Sequence, residues 1–404
     1  MLQIQIYFSG DEEDDPWQLA LKERLTVKEA RTEKARSDAI DRHIREDRKR
    51  FQKEHKILVL GTSESGKSTI VKQMKIVHQG GHDKRERGEY RMAIYKNVLD
   101  CVGTLARVVR KVGVGSLPEK VWEHAEVLLR AFPAPSGDDV LVQTHNAVLT
   151  PALVDAVWHI WRAPAVVRIV DEHLPEFYLV DSTSAGYFFS SIHRIADPAY
   201  VPNEEDILHA RTEANTIMET RFFMGDLLIH LLDISGQRSE RKKWIHHFDS
   251  VTSIIFCASL GDYDRVLEEE GRVNRMHESL YLFESIINSQ WFLHTSVILF
   301  LTKIEVFKKK LPRIPLGRYF PEYTGGNDLN KAVKYILWKF IQENRARLAV
   351  YPHVTQATNT KHISLVYAAV KETIQQNSQK NNGLLYATVK EKIQRNTLKY
   401  SEIL

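Results

Sequence analysis

The nonapeptide GTSESGKST, Gly61 to Thr69, follows directly on the apolar run KILVL. No other part of the chain limits its fold so tightly. The spacing Gly61-x4-Gly66-Lys67-Ser68 is that of a phosphate-binding loop, in which glycines let the backbone curl until its N–H groups face an anion. Such a loop needs a strand before it and a helix after it, whose N-terminus adds positive potential. The strand is read at 55–60 and the helix from about Lys67. Lys67 is then placed to reach the outer phosphates, and the Ser68 hydroxyl to ligate Mg²⁺.

Further strand-like runs are DLLIHLLD (226–233), SIIFCASL (253–260), SVILFLTK (296–303) and YPHVTQAT (351–358), and helix-length segments lie between and after them at 274–288, 329–347 and 361–377. Apolar strands alternating with helices predict an α/β fold with a parallel sheet covered on both faces. Residues 80 to about 205 break that rhythm. YRMAIYKNVLDCVGTLARVVRKV, EKVWEHAEVLLRAF and PALVDAVWHIWRAPAVVRIVDEHL are helical in character, and together they predict an all-helical domain inserted between the first helix and the second strand. With 404 residues the chain has room for it. The reading divides the chain into a charged helical arm (1–54), a first α/β segment carrying the loop (55–79), the inserted helical domain (80–205) and the remainder of the α/β domain (206–404).

A net charge of +4 is too small at this length to argue for nucleic acid. The charge is unevenly spread: DEEDD at 11–15 is a block of acids, whereas 22–56 holds thirteen Lys/Arg against eight Asp/Glu. Residues 22–54 read as a long charged helix whose narrow apolar stripe includes Ile40, Ile44 and Phe51. It suits either docking on a partner or a solvated arm. The two cysteines, Cys101 and Cys257, sit in apolar surroundings, so buried thiols and a reducing compartment are expected rather than a disulfide. No run approaches eighteen apolar residues, and the N-terminus lacks the pattern of a secretion signal. The expectation is a soluble intracellular protein.

LLIHLLDISGQ supplies a second piece of phosphate chemistry. An apolar strand ending in Asp233 places a carboxylate where such enzymes help hold Mg²⁺, and Gln237, four residues on, is placed to orient an attacking water.

At this point GTSESGKSTIVKQMKI, DISGQRSERKKWIHHF and VTQATNTKHI together resemble the α subunits of heterotrimeric G proteins, from about residue 20 to the end and with the insertion in its expected place. Other guanine-nucleotide switches lack GQRSERKKW and the large helical lid; the charged arm resembles those of fungal members. The resemblance implies a P-loop GTPase (Ras-like) domain with an inserted helical lid, GTP or GDP as ligand, Mg²⁺ as cofactor and GTP hydrolysis. It implies that Glu64, Ser65, Gly66, Lys67, Ser68 and Thr69 bind the phosphates, that Ser68 and Asp233 serve the metal, and that the Gly236 backbone N–H senses the terminal phosphate. Leu208 joins the nucleotide site, and Thr302, Lys303, Glu305 and Ala357 serve the base. Arg211, in LHARTEANTI, matches the catalytic arginine supplied in cis, and Gln237 would position the water. Arg238, Arg241, Lys242 and Trp244 lie on the segment that meets the βγ dimer or effectors, and KEKIQRNTLKYSEIL resembles the receptor-contacting helix. The implied partners are a βγ dimer, a G-protein-coupled receptor, a downstream effector and GTPase-activating regulators, with no nucleic acid. A lid over the cleft would slow nucleotide escape, so that release needs an activated receptor.

The chain departs from the family pattern at the nucleotide site. Where the family offers Mg²⁺ a threonine hydroxyl, this chain has Ala214, with Thr216 two residues on; losing that ligand weakens coupling of the first switch to the terminal phosphate. The guanine-reading motif Asn-Lys-x-Asp reads Thr302 to Glu305 as TKIE. A site of paired hydrogen bonds discriminates by up to about 10⁴–10⁵, and a carboxylate displaced by a methylene erodes that. Asp-x-Gly-Gly-Gln reads Asp233-Ile-Ser235-Gly236-Gln237. In DSTSAGYFF (181–189) either Asp181-Ser182 or Thr183-Ser184 takes the family's lid contact. Leu2 follows Met1, and the first hundred residues hold no cysteine, so the usual myristoyl and palmitoyl anchors are absent and partners or the basic arm would hold the protein at the inner face of the plasma membrane.

Two functions remain beside a GTP-driven switch: a non-cycling scaffold for nucleotide, βγ or receptor, favoured by Ala214 and TKIE, and a phosphate-loop ATPase or kinase, disfavoured by the insertion and Lys303. Ala214→Thr is expected to strengthen the Mg²⁺ dependence of nucleotide binding, measured by titrating the metal against a fluorescent nucleotide; an unchanged dependence would give the role to Thr216 or another oxygen.

Overall fold

The computed structural model describes residues 34–43, 54–133, 148–166, 182–212 and 217–380, apart from Val114, Ser116, Ala165, Asp226, 268–272 and His294. The first 54 residues form a unit of their own. In it residues 34–43 are helical and exposed throughout, Ile40 included; Ile44 and Phe51 lie outside the described residues.

From His55 onward the chain builds a second unit around one six-stranded sheet. Its strands are β1 (Glu54–Gly61), β2 (Met218–Met224), β3 (Leu227–Asp233), β4 (Ser253–Ser259), β5 (Ser296–Thr302) and β6 (Val350–Val354), in the order β2-β3-β1-β4-β5-β6. β1, β4, β5 and β6 run parallel, while β2 pairs antiparallel with β3. Between β1 and β2 lie α1 (Lys67–Gln79), α2 (Lys84–Val112), α3 (Glu119–Ala131), α4 (Pro151–Arg162), α5 (Ser182–Ser190), α6 (Ile192–Ile195) and α7 (Glu204–His209). After β4 come α8 (Arg275–Ile287), α9 (Ile304–Lys310), α10 (Leu329–Gln342) and α11 (Thr360–Lys380). The fold is α/β, with the mostly parallel sheet that the sequence predicts.

Strand periodicity sorts the core into two layers. Leu58, Leu60, Ile254, Phe256, Ala258, Val297, Leu299 and Leu301 face one way, against Phe283 of α8 and Phe340 of α10. The alternate residues Ile57, Val59, Ile255, Cys257, Ile298 and Phe300 face the other way, against Ile70 and Met74 of α1 and Ile363, Tyr367 and Val370 of α11. β4 and β5 are buried along their whole length, which is why both read as unbroken apolar runs. Both cysteines are buried free thiols, as expected.

β2 was not legible as a strand. It lies at the sheet edge, with Phe222 and Met224 buried and Phe223 exposed, so half of its signal is polar or solvent-facing. The Gly225-Asp226 pair between β2 and β3, with Gly225 at φ +66°, is the short-hairpin signature that could have revealed it.

The helices between residues 84 and 195 enclose a core of their own, with Val102 and Leu105 from α2, Leu128 from α3, Ile160 from α4, and Phe188 and Phe189 from α5. α2 starts in a capping box: the Asp83 carboxylate accepts from the Glu86 N–H at 2.8 Å, and Glu86 accepts from the Asp83 N–H at 3.0 Å. α7 spans the position 205/206 at which the sequence reading divides the chain, and it carries a buried carboxylate, Asp206. That group accepts from the Tyr187 hydroxyl at 2.8 Å, from both Arg194 terminal nitrogens at 2.8 and 2.6 Å, and from the Asn203 N–H at 2.9 Å. Burial alone would raise its pKa; Arg194, Asn203 and Tyr187 overcome this and hold it below the usual carboxylate value. Asp206→Asn keeps the shape but gives up a charge-assisted fork, and it is expected to cost about 2–3 kcal/mol, read as a lowered midpoint in denaturant unfolding with unchanged slope.

Candidate functional site

Gly61 ends β1 at φ +143°, and a Cβ there would lie 2.3 Å from the Cys257 carbonyl oxygen. Only glycine can take the chain past β4 and into the loop. Glu64 (φ +61°) and Gly66 (φ +92°) complete the curl in left-handed conformations. α1 then begins without a side-chain cap, which leaves its first N–H groups for an anion. The Ser65 hydroxyl ties the loop to itself, donating to the Thr62 carbonyl at 2.8 Å.

Lys67 folds back into the loop and is 6% exposed. Its ammonium donates to the carbonyls of Gly61 and Thr62 at 3.0 and 2.7 Å. Burial pushes its pKa down, and Asp233 pulls it back. For Asp233, at the end of β3, burial pushes the pKa up, opposed by Lys67, by a hydrogen bond from the Ser68 hydroxyl and by Lys72. Gly236 passes so close that a Cβ would lie 2.4 Å from the Lys67 ammonium and 2.5 Å from the Gly61 carbonyl oxygen. The second motif therefore fits against the first only because this residue has no side chain. Gln237 is exposed, and its backbone N–H reaches Ser235 Oγ at 3.4 Å.

From the far side of the loop, the Arg211 guanidinium pairs with the Glu64 carboxylate. Glu64's other oxygen accepts from Arg275 at 2.6 Å. Arg211 is fixed through its backbone by Asn97 of α2, which accepts from its N–H at 2.6 Å and donates to its carbonyl at 3.2 Å. Leu208 is buried in α7, and the carbonyls of Ile207 and Ala210 beside it accept from the Lys72 ammonium at 3.0 and 2.7 Å. Burial pushes Lys72 down to about 8, with Asp233 opposing.

Thr302, at the end of β5, is fully buried, and its hydroxyl meets the Ser65 carbonyl at 2.7 Å and the Ala258 carbonyl at 3.3 Å. A threonine has one proton to give, and here it lies between two backbone acceptors. The residue ties β5 to the phosphate loop. Lys303 follows in a left-handed conformation, φ +57°, with its ammonium 4.0 Å from Asp262. Burial would raise the pKa of Asp262, but Lys303, Arg265, Arg275 and Lys310 hold it low. Glu305 is half-buried in the first turn of α9. The Ala357 carbonyl accepts from Gln73 of α1 at 2.9 Å, so α1 also reaches the TQAT loop; Thr69 is half-buried on the same helix.

The structure thus gathers Glu64–Thr69, Arg211, Asp233, Gly236 and Thr302 around one loop and leaves Gln237 exposed beside it. Ala214, Thr216, Asp181 and the tail from 381 lie outside the described residues. Ser184 is buried, with its hydroxyl 3.2 Å from His209 Nδ1. Trp244 is 3% exposed and donates to the Ser235 carbonyl at 3.0 Å, while Arg241 reaches Glu278 at 2.5 Å. Arg275 was missed from the sequence. The signal was there: an arginine buried at the start of the apolar helix RMHESLYLFESII needs a partner. Ser68 and Asp233 form a hard-oxygen pair of the kind Mg²⁺ accepts, a metal that takes one or two protein oxygens and fills its octahedron with water and phosphate. Among the described residues no group of three or more His, Cys, Asp or Glu could hold a metal by itself.

Residues 34–374 match the family model of the G-protein alpha subunit. The chain is 54% identical over 360 residues to a guanine nucleotide-binding protein subunit alpha of Cryptococcus neoformans, covering 89% of this chain and 81% of that one. It is 53% identical over 355 residues to the alpha-3 subunit of Mycosarcoma maydis, covering 88% and 97%, and 50% identical over 348 residues to the alpha-3 subunit of Neurospora crassa, covering 86% and 94%.

The tie through Thr302 predicts that Thr302→Val, which removes the hydroxyl at nearly constant shape, costs about 1–2 kcal/mol in denaturant unfolding. Because that hydroxyl is engaged with the loop backbone, the same change is expected to weaken guanosine and inosine diphosphates by equal factors, measured by displacement of a fluorescent analogue.

Proposed function

Since this chain belongs to the G-protein α subunits, a family of GTPases, we propose that it switches between GDP-bound and GTP-bound states and relays a signal from a G-protein-coupled receptor. The observation that carries this reading is the meeting of Arg211 with the phosphate loop at Glu64, beside the buried pair of Lys67 and Asp233. A nucleotide-binding fold needs only the loop; a cationic side chain brought in from another segment is what phosphoryl transfer adds.

In this reading Glu64 to Thr69 hold the phosphates, with Lys67 exchanging its carbonyl partners for phosphate oxygens. Ser68 and Asp233 hold Mg²⁺, which when bound neutralises charge on the outer phosphates. Arg211 leaves Glu64 and turns to the terminal phosphate, where it stabilises the charge of the transition state. This family is itself the standard example of such an arginine, worth about 10³–10⁵ in rate. Gln237 orients the attacking water, and the Gly236 N–H reports the terminal phosphate to the segment that ends in Trp244. Lys303, Glu305 and Ala357 meet the base, with Thr302 supporting the loop and Leu208 lining the nucleotide. Fungal relatives named as guanine nucleotide-binding α subunits support guanine as that base. The βγ dimer, a receptor, an effector and GTPase-activating regulators are the partners this role requires, and the inner face of the plasma membrane is the place where they meet.

Ala214 favours one competing reading, a scaffold that binds nucleotide or partners without cycling. Identification of the nucleotide released from purified, denatured protein separates the two: GDP is expected, GTP would mean binding without hydrolysis, and an empty site would favour the scaffold. In single-turnover hydrolysis Arg211→Cys is expected to slow the reaction by about 10²-fold or more and Gln237→Leu to slow it while sparing binding. An unchanged rate in Arg211→Cys would remove the arginine from the chemistry.

A further inference from the structure

The chain crosses between the sheet and the inserted helices twice, going out at Gly80–Asp83 and returning at Asn203–Arg211. On the outward crossing Gly80 and Gly81 stand at φ +77° and +88°, a left-handed pair that favours glycine and turns α1 into α2. The return crossing begins with Glu204, the first residue of α7, and its carboxylate spans the gap. One oxygen accepts from the His82 backbone N–H at 2.6 Å, and the other lies 2.7 Å from His82 Nδ1. A Cβ on Gly81 would lie 2.6 Å from the same carboxylate, so the glycine is what lets it approach.

The other ties on the return crossing run elsewhere. Lys72 binds its carbonyls to α1, and Asn97 binds the Arg211 backbone to α2. Glu204 joins the two crossings directly to each other. The His82 ring is enclosed, its side chain 4% exposed, and stands edge-on to Tyr90 at 5.5 Å. The Lys72 ammonium lies 5.3 Å from the centre of the Tyr90 ring. The two crossings, α1 and α2 therefore meet in one cluster of side chains.

We propose that Glu204, acting through His82, is a positioning residue that holds the two crossings together and thereby sets how fast the inserted helices open and bound nucleotide escapes. The proposal rests on the nucleotide-binding reading above. Swinging the helices away about the two glycines parts the crossings, and both Glu204 bonds break with them. Chemistry in the closed state does not use them. Loss of the pair should change the rate of release and leave hydrolysis of bound GTP alone, a split that a general loss of structure would not give.

The test measures release of a fluorescent GDP analogue from wild type, Glu204→Ala, His82→Phe, the double variant and Glu204→Gln. Glu204→Ala is expected to release nucleotide about tenfold faster, as loss of a charge-assisted hydrogen bond implies. The double variant is expected to be no faster than Glu204→Ala alone, because both changes break the same tie. Glu204→Gln keeps an oxygen for the His82 N–H and an amide for its ring, and is expected to stay near wild type. Single-turnover GTP hydrolysis should be unchanged in all four variants. Unaltered release in Glu204→Ala, or effects that multiply in the double variant, would overturn the proposal. Hydrogen exchange of the amides at 80–83 and 203–211 needs no nucleotide and keeps the two readings apart. Faster exchange in Glu204→Ala supports the tie even if the wild type binds no guanine nucleotide; unaltered exchange ends it.

Discussion

An ammonium group shut away from water is the constraint around which this molecule is arranged. Lys67 ends inside its own loop, between the Gly61 and Thr62 carbonyls and within the field of Asp233. A buried cation is tolerated only where hydrogen bonds and an opposing charge surround it, and each of the neighbouring oddities follows from supplying them. Gly61 and Gly66 turn the backbone so that carbonyls can reach the ammonium, and Gly236 lets the β3 end close over it. Asp233, itself disfavoured as an anion by burial, is kept charged by the same lysine. The nest is balanced but under-coordinated for so concentrated a charge, which is the condition in which it best receives an anionic ligand.

The departures from the family pattern fall into two kinds once the contacts are known. Thr302 loses an amide but keeps its connection to the loop, because a hydroxyl suffices to meet a backbone carbonyl. Ser235 keeps its place because its carbonyl, and not its side chain, receives the Trp244 indole. Both substitutions retain links made to the main chain. Glu305 is different: it changes the reach of the group that would meet the base, and no neighbouring tie restores the lost geometry.

How much could be read beforehand depended on whether a signal was local. β4 and β5 were plain, since burial on both faces leaves no polar residue to interrupt the run, and the loop was plain because its glycines are demanded by backbone geometry. β2 was hidden by its place at the edge, where exposed Glu219, Arg221 and Phe223 dilute the pattern. Arg275 was half-legible, as a charge on a buried helix face without a visible partner. The bond between His82 and Glu204 was not legible at all: 122 residues separate the two, and neither is unusual in its own segment. The role of Thr302 was misleading in sequence, where only the missing amide could be seen.

The two crossings also determine what happens after the inserted helices part from the sheet. A cover fastened at both of its ends cannot diffuse away; it stays at a high local concentration relative to its seat, and reclosing is an intramolecular event. Release of a bound molecule is then a race between that return and escape through the opening. The number of unproductive openings per departure, rather than the strength of any single contact with the ligand, becomes the quantity that a partner must alter to hasten it.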